Sequence, residues 1–425
     1  MIRIDRICIW LFLSALVLLL VSHKFLKPVD ESITVFLLGI ALADSILNNK
    51  WRSYIPLWIL LGVTLVYIIY SLTGVHFNTA RYVLTDALIE IKPYVPFLVC
   101  LGISPKWSNV DLRLLQTCAL LVAVITTGIL LTGPSNTNMI FEHQAFAGLI
   151  IYICALCYWF SCIKSNGQVA HRDKIIILLI MTGGLLCTRS KFYGYYVLGI
   201  FFMFFYRPGI LKQINMKHLA MIVSLIIVFI AVSWKKISFY FITGNSDSFD
   251  PNVMESFARP VMYLHGFTIL FDYFPFGSGL ASFASFPSAE NYSSLYYEYG
   301  LNNIHGLSPD MPDFICDAFY PTLAQFGIIG VIFFITFWVY TYRFLRMMIR
   351  KNPILYINQF SIGALIISAM LIECVASTSF VQPSGQVAMM LLGMICSVSK
   401  SVSDNATIEN VTSTLTTDNK KRIKI

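Results

Sequence analysis

Three cations stand out by where they fall. Arg189 and Lys191 occupy a short turn, Cys-Thr-Arg-Ser-Lys-Phe-Tyr-Gly, between two apolar stretches, and Arg259 opens a longer stretch that runs on to Phe283. A positive charge held against lipid costs about 2.5–3.5 kcal/mol at a helix centre unless it is paired. Such charges suit an anion, and arginine binds phosphate oxygens through its planar fork. The plainer use is snorkelling to lipid phosphates. Groups able to move a proton lie further on: Asp317, His265, His305 and Asp313. A carboxylate or imidazole beside a hydroxyl can act as general base. Asp317 fits equally well as a helix cap or first-turn residue, and His265 as an interfacial residue of an amphipathic helix. Glu142 and His143 precede a helix of small residues, and Gly277 and Gly279 sit in Pro-Phe-Gly-Ser-Gly, where glycine permits close backbone approach. Asp86 and Glu90, four apart on one helical face with Lys92 nearby, line a cavity or mark a helix end.

Other chemistries lack their residues. No Walker loop, HExxH, paired CxxC or dinucleotide-binding glycine pattern occurs in a suitable context, which argues against ATP hydrolysis and zinc proteolysis. Cys154-Ala-Leu-Cys157 has metal-like spacing but falls inside an apolar run, where cysteine packs as a small hydrophobe. The histidines are irregularly spaced, so no metal is expected.

The elements that carry these residues follow from hydropathy. Of 425 residues, 57% are hydrophobic and 12% charged, and mean hydropathy is +0.72. Soluble domains carry about 25% charged residues. Apolar runs fall near 7–22, 33–47, 54–72, 82–102, 112–132, 144–163, 175–187, 192–206, 219–234, 314–342, 356–376 and 384–399. Period-two alternation is absent, so the expectation is an all-α integral membrane protein. About twelve spanning helices are expected, with one large extracytoplasmic loop containing an amphipathic helix over 257–274. The expected divisions are 1–234 (helices one to nine), 235–313 (the large loop), 314–400 (helices ten to twelve) and 401–425, a polar tail whose composition reads as disordered. With the N-terminus in the cytoplasm, 21 of the 30 Lys and Arg residues fall on the inner side, which puts both termini there. The net charge of +8 is then an inner-leaflet signal and not a nucleic-acid footprint. The first run follows Arg3 and Arg6 without a small-residue cleavage site, so it reads as a retained anchor.

Arg259, an amphipathic helix and then Asp272-Tyr-Phe-Pro275-Phe-Gly277-Ser-Gly279-Leu-Ala-Ser-Phe283 together resemble the main outer loop of O-antigen polymerases and O-antigen ligases. Asp317 followed by Gly327-Ile-Ile-Gly330 resembles the segment closing that loop. The Thr-Arg-Ser-Lys turn is similar to the family's short Ser-Arg turn, and Glu142-His143 falls where an Asn is common. The resemblance covers roughly residues 140–345. The ligase branch has a His-Asn pair where this chain has Cys316-Asp317, so the polymerase branch is the better match.

That resemblance implies a bacterial inner-membrane glycosyltransferase. It would polymerise undecaprenyl-pyrophosphate-linked oligosaccharide repeats into O-antigen or a related polysaccharide, without cofactor or metal. A chain-length regulator and a flippase would be its partners, besides membrane lipids. Arg189, Lys191 and Arg259 would hold the pyrophosphate. Asp317 would take the acceptor proton, with His265, His305 and Asp313 as further candidates, and Glu142, His143, Gly277 and Gly279 would line the substrate. The alternatives are an O-antigen ligase and a lipid-linked sugar transporter or flippase, the latter expected to show internal repeats with broken helices.

Overall fold

In lipid, backbone N–H and C=O groups can bond only within the protein, so spanning segments become helices. The computed structural model describes residues 3–26, 28–208, 224 and 258–398, and these are helical with no strand among them. Six helices are long and apolar enough to cross a membrane: Ile4–Ser22, Trp51–Val75, Asn109–Leu131, Gln144–Ser161, Tyr320–Lys351 and Pro353–Glu373. Tyr94–Ile103 and Pro383–Val398 are shorter apolar helices. The chain is a multi-pass helical membrane protein.

The remaining expected segments are shorter or more polar. Val29–Leu47 carries Asp30, Glu31 and Asp44, and the runs over 175–187 and 192–206 form His171–Gly183 and Ser190–Ile200. The run over 82–102 is two helices, Ala80–Ile91 and Tyr94–Ile103, divided at Lys92–Pro93. Proline has no N–H to continue the ladder. The run over 219–234 lies, but for Ser224, outside the described residues, as do 235–257 of the large loop and the tail from 401.

Burial separates the helices by role. Gln144–Ser161 is 83% buried and apolar on every side, so it sits at the centre, whereas Trp51–Val75 is only 17% buried and turns its apolar surface outward. Close approach is fixed at Gly393, where a Cβ would lie 2.4 Å from the Phe97 carbonyl oxygen. One end of the bundle is tied by ion pairs and polar bonds between helix ends. Arg6 meets Asp111 at 2.5 Å, and Asp44 takes the Tyr54 hydroxyl at 2.6 Å and the Lys50 ammonium at 3.3 Å. Trp159 donates to Asn358 at 2.9 Å.

The opposite end carries the segment 258–326. The helix expected over 257–274 runs from Ala258 to Asp272. After it the chain folds into short helical turns over a small core of its own, built on Val261, Ile269, Phe283, Leu295, Tyr296 and Ile315. Asp86 accepts the Ala281 N–H at 2.6 Å, and Asn78 donates to the Ala281 and Asn291 carbonyls at 2.9 Å. These bonds fasten the segment to the start of Ala80–Ile91.

Candidate functional site

The three singled-out cations each meet a specific partner. Arg189 occupies the cap position of Ser190–Ile200, set there by Thr188 in the left-handed conformation at φ 53°. Its Nη2 lies 2.8 Å from His143 Nε2. His143 itself caps Gln144–Ser161, with Nδ1 accepting the Ala145 N–H at 3.1 Å. A neutral imidazole has one acceptor nitrogen, so the cap and the guanidinium compete for it. Lys191 meets Glu373 at 2.5 Å, and the same buried carboxylate accepts from the Tyr195 hydroxyl at 2.5 Å and the Ser379 hydroxyl at 2.9 Å. Arg259 pairs with Asp317 across the loop. The Nε groups of both Arg189 and Arg259 are buried without a hydrogen-bond partner.

These pairs form one electrostatic neighbourhood. Asp317 lies within the fields of Arg259 and Lys191, and the Cys187 thiol within those of Arg189, Lys191 and Glu373. Asp317 precedes the turn Tyr320–Phe326 and is not its cap, which is Phe319. Burial pushes the Asp317 carboxyl above the usual carboxylate range, although the Arg259 charge and hydrogen bond pull the other way.

The other expected site residues are more scattered. His265 is half-buried on Ala258–Asp272, with its ring edge-on to Tyr299 at 5.8 Å. His305 and Asp313 are exposed. Gly277 and Gly279 are buried in a seam against the turn before Gly327. The Gly279 N–H bonds the Gln325 carbonyl at 2.9 Å, and the Gly277 carbonyl accepts the Tyr70 hydroxyl at 2.9 Å. Both have positive φ, 78° and 83°, so the pair closes a turn, and neither lines the two cavities described next.

Two cavities meet beside this network. The first is an apolar groove of about 310 Å³ between Trp51–Val75, Tyr94–Ile103 and Tyr320–Lys351, lined by residues such as Ile59, Val63, Leu98 and Phe333. The second is a polar chamber of about 220 Å³ where the ends of several helices converge, walled by His23, Asp30, Glu31, Lys92, Glu142 and Gln382 among others. Glu90 and Phe319 line both. Glu142 and Cys316, the sequence neighbours of His143 and Asp317, also line the chamber.

Within the chamber Lys92 Nζ lies 2.6 Å from both Asp30 and Glu31. The two carboxyls divide one ammonium. Burial pushes Asp30 above the ordinary range, while Glu31, though burial opposes it, is held below by its bond to Asp30 and by Lys92. Burial lowers the His23 imidazole to about 4, against a rise from Gln382 and with Lys92 adding to the fall, so it is neutral at physiological pH. The ring stacks on Phe146 at 4.8 Å.

Sequence reasoning passed over Glu373, Tyr195, Asp30 and Glu31. The available signal was a carboxylate inside or beside an apolar run, since such a group is costly in lipid unless it has a partner. No group of three or more His, Cys, Asp or Glu placed to hold a metal occurs among the described residues. No protein-family model, no curated protein and no solved structure matches the chain.

Proposed function

We propose that the chain is a membrane glycosyltransferase that joins undecaprenyl-pyrophosphate-linked oligosaccharide repeats into a surface polysaccharide. The reaction belongs on the outer face of the bacterial cytoplasmic membrane. On this reading the chain spans the membrane about twelve times, keeps both termini in the cytoplasm and presents 235–313 outside. The observation that carries it is the junction of an apolar groove with a polar chamber at Glu90 and Phe319. That shape suits an amphiphile with a long apolar tail and a polar, hydroxyl-rich head. The three cations line neither cavity, but Glu142 and Cys316, next in sequence to the partners of Arg189 and Arg259, line the chamber, and both arginines have an Nε–H unused by protein partners.

The acceptor hydroxyl oxygen bonds to the anomeric carbon of the donor sugar. The bond from that carbon to the diphosphate breaks, and the lipid pyrophosphate leaves with the electron pair. The acceptor proton passes to a base, for which Asp317 is the first candidate because its proton affinity is raised. Growing charge on the leaving group is met by Arg189, whose partner is an imidazole. Preorganised charge of this kind is worth about 10²–10³ in rate per donor.

Deletion of the gene followed by gel analysis of surface polysaccharide tests the reading. Polymerase loss leaves chains stopped at one repeat, whereas ligase loss leaves none on the lipid core. Arg189→Ala is expected to reproduce the deletion. A normal ladder in the deletion strain would overturn the assignment.

A further inference from the structure

The polar chamber has an unusual balance of groups. Four carboxyls, of Asp30, Glu31, Glu90 and Glu142, face one ammonium, that of Lys92, and the one imidazole is neutral. A diphosphate would find one ammonium there, already shared by Asp30 and Glu31. The wall also carries buried polar atoms without a hydrogen-bond partner, Ser22 Oγ and Glu31 Oε2, beside the His23 ring, whose hydrogen-bonding neighbour is Gln382. Ser22 and His23 are only 2% and 3% exposed, and both line the chamber. Buried polar atoms are normally bonded, and each exception asks for a partner. The chamber is smaller than the ~300–1,000 Å³ of a drug-sized site, on the scale of one sugar ring. Phe286 and Phe319 add apolar faces for such a ring to lie against.

We propose that this chamber is a saccharide subsite that binds one neutral or amino sugar through its hydroxyl, amide or ammonium groups and rejects a carboxylated sugar. The argument rests on the glycosyltransferase reading for its ligand class, but its residues are separate from the cations that reading uses. Sugar hydroxyls donate to Glu31 and Glu142 and exchange hydrogen bonds with His23, Ser22 and Gln382. A sugar carboxylate would stand among carboxyl groups with no free counter-charge, because Lys92, the one ammonium of the lining, is already shared by Asp30 and Glu31. Sites built to bond a hydroxyl discriminate strongly, because the wrong ligand leaves buried groups unpaired.

The test uses the purified full chain in lipid nanodiscs with glucose, N-acetylglucosamine and glucuronate as probes, followed by saturation-transfer NMR. Signal is expected from glucose or N-acetylglucosamine, with glucuronate at least about tenfold weaker. Ser22→Ala and Gln382→Ala, which keep the charge network, should each reduce the signal, and Glu31→Gln should narrow the preference against glucuronate. Arg189→Ala should leave sugar binding unchanged while stopping polymer growth. Equal or stronger binding of glucuronate overturns the subsite, as does undiminished signal in both Ser22→Ala and Gln382→Ala. A normal polysaccharide ladder in the deletion strain, by contrast, removes the glycosyltransferase reading and leaves the binding result standing.

Discussion

Replacing Glu373 with alanine removes the centre of the Lys191 contact. The carboxylate is 1% exposed and takes three donors, the Lys191 ammonium and the hydroxyls of Tyr195 and Ser379. Breaking a buried pair by deleting one partner costs about 3–5 kcal/mol, mainly because the other charge is left uncompensated. Lys191 retains 19% exposure and regains some hydration, which places the loss near the lower bound, about 3 kcal/mol. The two hydroxyls lose an ionised acceptor as well, a loss that is not additive with the first. Lys191→Met combined with Glu373→Leu removes both charges, and this double variant should be closer to wild type than Glu373→Ala alone. The assay is reversible unfolding of the full chain in mixed micelles, run as a double-mutant cycle. A Glu373→Ala loss below about 0.5 kcal/mol, the range of ordinary surface changes, would refute the reasoning. So would a vanishing coupling term, and Lys191 would then be a cation free for an anionic ligand.

Arg259→Ala removes the group that holds Asp317 down, so the raised carboxyl rises further. A group whose folded pKa lies above its unfolded value stabilises below the unfolded pKa and loses that contribution as pH rises through the folded one. The variant should therefore lose thermal stability relative to wild type as pH climbs from the ordinary carboxylate range toward neutrality. A pH-independent difference in melting temperature would contradict this. Gly277→Ala forces a side chain onto a backbone at φ 78°, with its Cβ 2.3 Å from Ala324 O and Gly327 N. The left-handed conformation alone costs about 1–2 kcal/mol. The seam should open, read as faster proteolysis within 258–326, and an unchanged cleavage rate would count against the packing argument.

The sequence showed the class of fold because apolar runs with few charges have one physical solution in lipid. It also marked the weak point of one run, since Asp86, Glu90 and Lys92 flagged the segment that divides at Pro93. Partners were not legible. Lys92 meets Glu31 across 61 residues, Arg259 meets Asp317 across 58, and Lys191 meets Glu373 across 182. Spacing along the chain says nothing about contacts made by helices that pack side by side. Gly277 and Gly279 were legible as points of close approach, but the approaching group is the chain's own backbone near Gly327. Aromatic side chains in a loop can stack on sugars or pack together. Phe283 and Tyr296 take the second, meeting at 5.8 Å within the loop's core.

The pairing of Arg259 with Asp317 links substrate binding to base strength on the proposed reading. In the free protein the guanidinium lowers the carboxyl's proton affinity against the upward push of burial. A diphosphate arriving beside Arg259 competes for the same fork, and its doubly spread charge is the stronger partner. As the guanidinium turns toward the phosphates, its Nε already without a protein partner, Asp317 loses the group that stabilises its ionised form. Its proton affinity then rises at the moment an acceptor hydroxyl needs a base. The coupling requires no conformational change larger than one side chain. It also predicts that Arg259→Lys, a point charge without the fork, keeps the ion pair better than it keeps turnover. Activity in this variant should fall well beyond any loss of stability, and the acid limb of its pH profile should shift relative to wild type. Equal loss of both, with an unmoved pH profile, would leave the pair as a fastening between the loop and the bundle and nothing more.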